Sequence, residues 1–205
     1  GVGVRTAVRK GVGFAFVTTL QREDVLEAVR NSYALARASV EDPHFISLPS
    51  YDGAYPSVPG LFDRRIAELS SEDAADLIIR TVDAARAGLE KRSFAIEARL
   101  NASSGTKAIV NSIGIRASAQ TTSVSMVSSP VVKDGDDQTS SFEYQVSRRL
   151  GDIDPEWIGA TSARNTLGNL GAKTIEGGEM PVLLDPIAVG TVLGDGFGNA
   201  VSAEE

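Results

Sequence analysis

The chain has 205 residues, with 20 Lys and Arg against 27 Asp and Glu, a formal charge of −7, no cysteine and one histidine, His44. Disulfides, cysteine–zinc sites and thiol nucleophiles are therefore excluded, and a zinc site built mainly from imidazoles is out of reach, because such sites take three or four protein ligands. The acidic balance, with no block of Lys and Arg, argues against nucleic acid or an anionic membrane as the main partner, since both require positive charge at the contact.

No run of 18 apolar residues is present to cross a bilayer, and no basic stretch followed by an apolar one marks a signal peptide. The lack of cysteine suits a reducing compartment, so a cytoplasmic location is expected. Gly1 opens in what reads as the middle of a strand, and Val201-Ser202-Ala203-Glu204-Glu205 carries no stop signal, so a piece of a longer protein is expected.

In chain order, residues 2–9 alternate Val2, Val4, Thr6 and Val8 with Gly3, Arg5, Ala7 and Arg9, the period of a strand with one wetter face. A turn at Lys10-Gly11 and a second strand over 12–18 complete a β-hairpin. The spacing of Val25, Leu26, Val29, Tyr33, Ala36 and Val40 predicts a helix over 23–40, with Glu23 and Asp24 in its first turn and Asp42-Pro43 as its stop. Residues 42–63, with Pro43, Pro49, Pro56 and Pro59, read as a surface loop anchored by Phe45, Tyr51 and Tyr55.

Ser70 or Ser71 caps a second helix whose apolar stripe is Ala74, Leu77, Ile78, Ala85 and Leu89. Four strands are expected next, over 94–100, 107–112, 115–127 and 141–150, with Ser103-Ser104-Gly105 as a turn and 133–137 as a charged tip. Asp154-Pro155-Glu156 starts a helix running over 155–170 to Gly171. Met180 to Leu184 reads as a buried strand, Ile187 to Leu193 as a short helix after Asp185-Pro186, and 174–205 holds six acids and no base. The class is α+β, with helices packed on antiparallel sheets, a hairpin at the N-terminus and a four-strand antiparallel run in the middle. Three regions are expected: 1–92 with the hairpin and two helices, 93–178 with the sheet and the 155–170 helix, and 179–205 as the start of a further domain, mostly missing.

Few residues carry chemistry. His44 would need an orienting acid and a nucleophile to act as a base, and reads as a loop histidine. Asp134, Asp136 and Asp137 lack the glycine position and closing Glu of a calcium loop, and read as a solvated tip. Gly1-x-Gly3 and Gly194-x-Gly196-x-Gly198 lack the strand before and helix after that a phosphate cradle requires. Thr121, Thr122, Ser123, Ser125, Ser128 and Ser129 suit the wet face of a strand, and no G-x-S-x-G elbow is present. No catalytic or metal-ligating residue is assigned.

Several stretches together resemble the TldD/PmbA family, whose members have been called modulators of DNA gyrase. They are Gly1-Val2-Gly3-Val4-Arg5 with Gly13-Phe14-Ala15; Ala28-Val29-Arg30 to Ala34-Leu35-Ala36-Arg37 with Asp42-Pro43 and Leu48-Pro49; Arg148-Arg149-Leu150 with Asp154-Pro155-Glu156 and Leu170-Gly171-Ala172; and, most specific, 178–186, Gly178-Glu179-Met180-Pro181-Val182-Leu183-Leu184-Asp185-Pro186. The resemblance covers nearly the whole chain and lacks the family's first part and most of its C-terminal domain. It implies one of two branches: a TldD-like zinc metallopeptidase with an H-E-x-x-x-H helix soon after the G-x-x-P-V strand, or a PmbA/TldE-like partner without those ligands.

At the matching place this chain has Gly194-Asp195-Gly196-Phe197-Gly198-Asn199. Gly194 and Asn199 stand at the histidine positions and Asp195 at the glutamate. Neither Gly nor Asn is a tight zinc ligand, and three glycines disfavour the helix itself. The resemblance thus implies the partner branch: a subunit inactive alone, with zinc in a TldD-like partner and peptides or unfolded proteins as substrates. A self-associating regulatory or peptide-binding protein, such as a homodimer with no peptidase partner, and an active metallopeptidase with ligands in the missing segment remain the alternatives.

Overall fold

A computed structural model describes residues 1–89 and 92–201; the chain end at 202–205, with its expected lack of a stop signal, lies outside the described residues. The architecture is mixed helix and antiparallel sheet, with a two-stranded hairpin at the N-terminus and a four-stranded sheet in the middle. Strands β1 (Val2–Val8) and β2 (Gly11–Val17) pair from Val2↔Val17 to Val8↔Gly11. The connection is Arg9-Lys10, one residue earlier than expected, with Arg9 at φ 55°.

Helix α1 (Arg22–Ala38) packs on this hairpin, but not through its large apolar residues. Its buried face is Ala28, Ser32 and Ala36, while Val29 and Tyr33 are 42% and 49% exposed and Val40 is 93% exposed. The cause is in β2. A Cβ on Gly13 would overlap the carbonyl oxygen of Ser32, and one on Gly11 that of Ala36, so the glycines let the strand backbone lie directly on the helix. At that separation only small helix residues fit between. Thr6 Oγ1 and Ser32 Oγ then meet at 2.7 Å across the seam. The helix stops at Ser39, whose N–H and hydroxyl both donate to Leu35 O, before Asp42-Pro43 is reached.

The segment from 40 to 63 is irregular and tied down at separate points. Lys10 Nζ donates to Pro43 O, Asn111 Nδ2 to Pro49 O, and the Arg116 N–H to Tyr55 Oη, whose ring stacks on Tyr51 at 5.2 Å.

The rest comprises α2 (Arg64–Ala67), α3 (Ser71–Leu89), β3 (Ser93–Val110), β4 (Arg116–Asp134), β5 (Asp137–Ser140), β6 (Glu143–Ser147) and α4 (Pro155–Gly168). Here the structure corrects the strand plan. β3 and β4 form one continuous hairpin, paired without a break from Ser93↔Lys133 to Val110↔Arg116, so Ser103-Ser104-Gly105 is strand and not turn. The reversal falls at Asn111–Ile115, where Asn111 Oδ1 accepts the N–H groups of Ile113 and Ile115 and Gly114 takes φ 109°. From Asn101 onward β3 is exposed on both faces. A polar, small-residue composition suits a solvated arm as well as a turn, and only the pairing tells them apart.

β4 is flanked by β3 on one side and by β6 and then β5 on the other. The Thr122 N–H reaches Leu61 O, on the side away from β3, so even-numbered residues of β4 direct their backbone groups away from β3. Pro130 has that parity and falls between the β6-paired stretch (124–128) and the β5-paired stretch (131–134), where its missing N–H forfeits no ladder bond.

α3 and α4 cover one face of the sheet. Ile66, Val124, Met126, Ile153 and Ile158 form one core cluster, and Ala85, Leu89, Val132 and Ala163 a second. The two helices approach closely because Gly159 has no side chain: a Cβ there would overlap the carbonyl oxygen of Thr81 and meet the Ala84 Cβ at 2.9 Å. Thr122 and Ser128 share the buried face of β4 with Val124 and Met126, a correction to the wet-face reading. Burial is tolerated because each hydroxyl is bonded: Thr122 Oγ1 donates to Arg148 O and accepts the Asp63 N–H, and Ser162 Oγ lies 2.9 Å from Ser128 Oγ. α4 ends at Gly168, short of Leu170.

Asp63 ties the end of the irregular segment to α2, to β4 and to the turn at Leu150. Its carboxylate accepts the Arg65 and Leu150 N–H groups and pairs with the Arg65 guanidinium at 2.9 Å, while its own N–H donates to Thr122. The Arg65 side chain first, then the Leu150 N–H, hold its carboxyl down at about 2. A depressed folded value adds stability that is complete above the ordinary value of 3.8 and disappears as pH falls through about 2. Asp63→Asn should therefore lower the melting temperature at neutral pH, with the gap from wild type closing across that acid range. A gap that stays constant down to acid pH would show that the carboxylate charge is not what binds these segments.

Candidate functional site

The segment expected to carry the degenerate metal motif is helical from Pro186 to Val201: α5 (Pro186–Thr191), a wide π-helical turn over Val192–Gly198 and α6 (Asn199–Val201). This corrects two expectations, that the glycines would disfavour helix and that nothing helical follows Gly198. The helix has a well-formed start, with the Asp185 carboxylate accepting the Ile187 N–H at 2.8 Å and Pro186 in the first position. All three glycines fall in the wide turn.

The spacing matters. On a regular α-helix, positions five apart are rotated by roughly 140° and do not share a face. A π turn, bonded i to i+5, brings them back towards one side, and such turns are frequent at functional sites. Gly194 and Asn199 are spaced in this way, and Asn199 Nδ2 donates to Asp195 O at 2.7 Å. A side chain at Gly194 would meet nothing within 4 Å. The place is sterically open, yet its donor set is an exposed carboxylate, a carboxamide already bonded to backbone and a hydrogen atom. Among the described residues no three His, Cys, Asp or Glu side chains come together to hold a metal ion. These residues do not fit a zinc ion, and no catalytic step is assigned to them.

Beside this helix lies an open cleft of about 490 Å³, lined by Phe142, Glu143, Asn165, Asp185, Ile187 and Val192 among others. Upstream, Met180 to Leu184 forms no strand, another correction: Val182 is 70% and Leu183 fully exposed.

The remaining candidates are structural. His44 is exposed on the irregular segment, its N–H donating to Asp42 Oδ1. Asp134 pairs with Arg92 at 3.0 Å, and Asp137 accepts the Gly171 N–H at 2.7 Å, so two of the three tip carboxylates tie the β4–β5 turn to its neighbours. Gly3 leaves room for the Phe14 ring, which a Cβ would meet at 3.2 Å. No helix among the described residues is long and apolar enough to cross a membrane.

The fold is thus an antiparallel sheet with two helices on one face, followed by a helix with a π turn between Gly194 and Asn199. The sequence profile of the PmbA/TldA metallopeptidase central domain matches residues 64–170, more than half of the chain. The chain belongs to the TldD/PmbA family. It is 25% identical over 204 residues to Metalloprotease PmbA of Escherichia coli O157:H7, covering 98% of this chain and 44% of that protein. It is 23% identical over 193 residues to the Metalloprotease PmbA homolog of Haemophilus influenzae, covering 93% and 43%. In fold it is similar to a Bacteroides thetaiotaomicron protein described as a modulator of DNA gyrase (TM-score 0.73, 19% identity, 85% of this chain and 40% of that one). It is likewise similar to TldE of Thermococcus kodakarensis (TM-score 0.70, 22% identity, 80% and 36%). The chain thus spans less than half the length of the relatives it matches.

Proposed function

We propose that this chain is a PmbA/TldE-like subunit without a metal site of its own, pairing in the cytoplasm with a TldD-like zinc metallopeptidase that acts on peptides or unfolded proteins. The observation that carries the reading is the donor set at Gly194, Asp195 and Asn199, which offers neither imidazole at the spacing where the catalytic branch of the family carries two. Zinc chemistry, with its metal-bound water, then belongs to the partner. The name of the E. coli relative favours a second reading, an active metallopeptidase whose ligands lie outside this sequence.

We also propose a division of the chain different from the one expected at residue 92. The hairpin and α1 form one packing unit, α3 packs with α4 on the sheet, and the segment at 40–63 joins them. Supporting this, the matched profile begins at residue 64, ahead of α3.

The test is co-expression with a TldD-like subunit, followed by affinity capture on this chain, dialysis and metal analysis. The expected result is a stoichiometric complex whose zinc stays with the partner, leaving far less than one zinc per copy of this chain when it is isolated. About one tightly held zinc on the isolated chain would refute the reading.

A further inference from the structure

The segment at 40–63 has neither helix nor strand, carries four prolines and buries little, yet it is bonded along its length. The β1–β2 turn holds its start: the Asp42 N–H donates to Lys10 O, and Lys10 Nζ to Pro43 O. The tip of the β3–β4 arm holds its middle, with Asn111 Nδ2 donating to Pro49 O at 2.7 Å and the Arg116 N–H to Tyr55 Oη at 3.2 Å. Leu61 O accepts the Thr122 N–H at 2.9 Å. Arg116 and Thr122 share the side of β4 turned away from β3, ahead of the stretch at 124–128 that β6 takes. Residues 55–61 thus keep pace with 116–122 along that side. Pro56 and Pro59 have no N–H to give, so the segment covers the side without becoming a strand.

Among the described residues no hydrogen bond or ion pair runs directly from residues 1–39 to residues 64–170. The hairpin and α1 pack on each other, and the covering segment carries their bonds to the sheet. The arm depends on it as well, because β3 is exposed on both faces from Asn101 on and a bare two-stranded ribbon is marginal by itself. We propose that 40–63 is a strap locking the hairpin unit to the arm, and that Asn111 and Tyr55 are its latch. When the latch opens, the strap leaves the side of β4 and the hairpin unit swings, while both units stay folded.

Asn111 couples the turn to the strap through one carboxamide. Its Oδ1 accepts the N–H groups of Ile113 and Ile115, each at 3.0 Å, which fills both lone pairs and fixes which way round the amide sits. Nδ2 then points out of the turn, towards Pro49 O. The docked piece has a shape of its own. Tyr51 Oη donates to Ala54 O, and Gly53 leaves room for that ring, since a Cβ there would meet Tyr51 Oη at 2.7 Å. Two hydrogen bonds between pieces already ordered are weak beside the packing of either unit, so they open first. The latch rests on bonds made within the chain, not on a surface left open. It is independent of the peptidase-partner reading and uses only the division of the chain at 40–63.

Amide exchange on the whole chain, followed by NMR, tests this. Asn111→Asp keeps the oxygen that the turn uses and removes the donor to Pro49 O; Tyr55→Phe removes the acceptor for Arg116. In the double variant, exchange at Arg116 and Thr122 should quicken by roughly tenfold or more, with Ile113, Ile115 and the β1–β2 ladder unchanged. The chain has no cysteine, so spin labels at Glu27→Cys on α1 and Ala75→Cys on α3, both exposed, report the swing. One narrow distance is expected with the latch intact, and a broad distribution in the double variant. Wild-type exchange and distance in the double variant would overturn the latch, as would a broad distribution with the latch intact. Loss of protection at Ile113 and Ile115 would also overturn it, because the turn would then melt with the strap. Loss of the β1–β2 ladder would refute the division of the chain at 40–63, and the rigid swing with it.

Discussion

Gly159→Val is expected to abolish cooperative folding of the sheet and its helices. Gly159 sits where α4 crosses α3, and a Cβ there meets the Thr81 carbonyl oxygen, the Ala84 Cβ and the Ala85 N, the last two at 2.9 Å. None of these atoms can rotate away, because all belong to the backbone or are fixed to it. Overpacking a core costs about 1–3 kcal/mol when side chains can adjust. Here the helices themselves must separate, which opens the cluster of Ala85, Leu89, Val132 and Ala163. The measurement is a thermal melt followed by near-UV circular dichroism of Trp157, the single tryptophan, which lies on α4. Gly168→Ala is the control: its added Cβ meets nothing within 4 Å, and the melt should be unchanged or slightly raised. A wild-type melt for Gly159→Val would mean that α3 and α4 do not touch in this way.

Ile158→Ala, one residue earlier, is expected to cost about 2–5 kcal/mol. Ile158 is wholly buried and packs with Ile66, Val124, Met126 and Ile153, so its removal leaves a cavity that strands and helices together cannot collapse. The melting temperature should fall on the order of 10 °C. Leu183→Ala provides the contrast. Leu183 is fully exposed, and its loss should change stability by no more than about 0.5 kcal/mol. Equal losses at the two sites would restore the reading of Met180 to Leu184 as a buried strand.

The comparison of expected and observed elements follows one pattern. Helix starts were legible at Asp154, Asp185 and Ser70, whereas the Asp63 cap of the short α2 was not read. Asp154 and Asp185 each accept an N–H from the first turn ahead of a proline, and Ser70 Oγ accepts the Asp73 N–H. Strands with strict alternation were legible too, as in β1 and the first half of β3. Illegible were features set by a neighbour. The buried side of α1 could not be read from its apolar spacing, because glycines in β2, a separate element, select Ala28, Ser32 and Ala36. The same limit applied to Thr122 and Ser128, whose hydroxyls are buried only because Arg148 O and Ser162 wait for them.

For the candidate site the division is sharper. The matching of Gly194, Asp195 and Asn199 to a metal motif is what the family resemblance implies. The inventory of donors belongs to the sequence: one histidine and no cysteine follow from residue identity and need no coordinates. So does the α+β class, because strand and helix periods are local properties of the chain. Whether the motif segment is helical belonged to tertiary structure, since local propensity of its three glycines points the other way and a π turn absorbs them. Whether Ser103-Ser104-Gly105 turns or continues was likewise decided by a partner strand, Thr121 to Ser123, that lies far along the chain. Backbone hydrogen bonds across a sheet are satisfied by residues distant in sequence, so no local pattern can announce where a strand ends or which of its edges stays open.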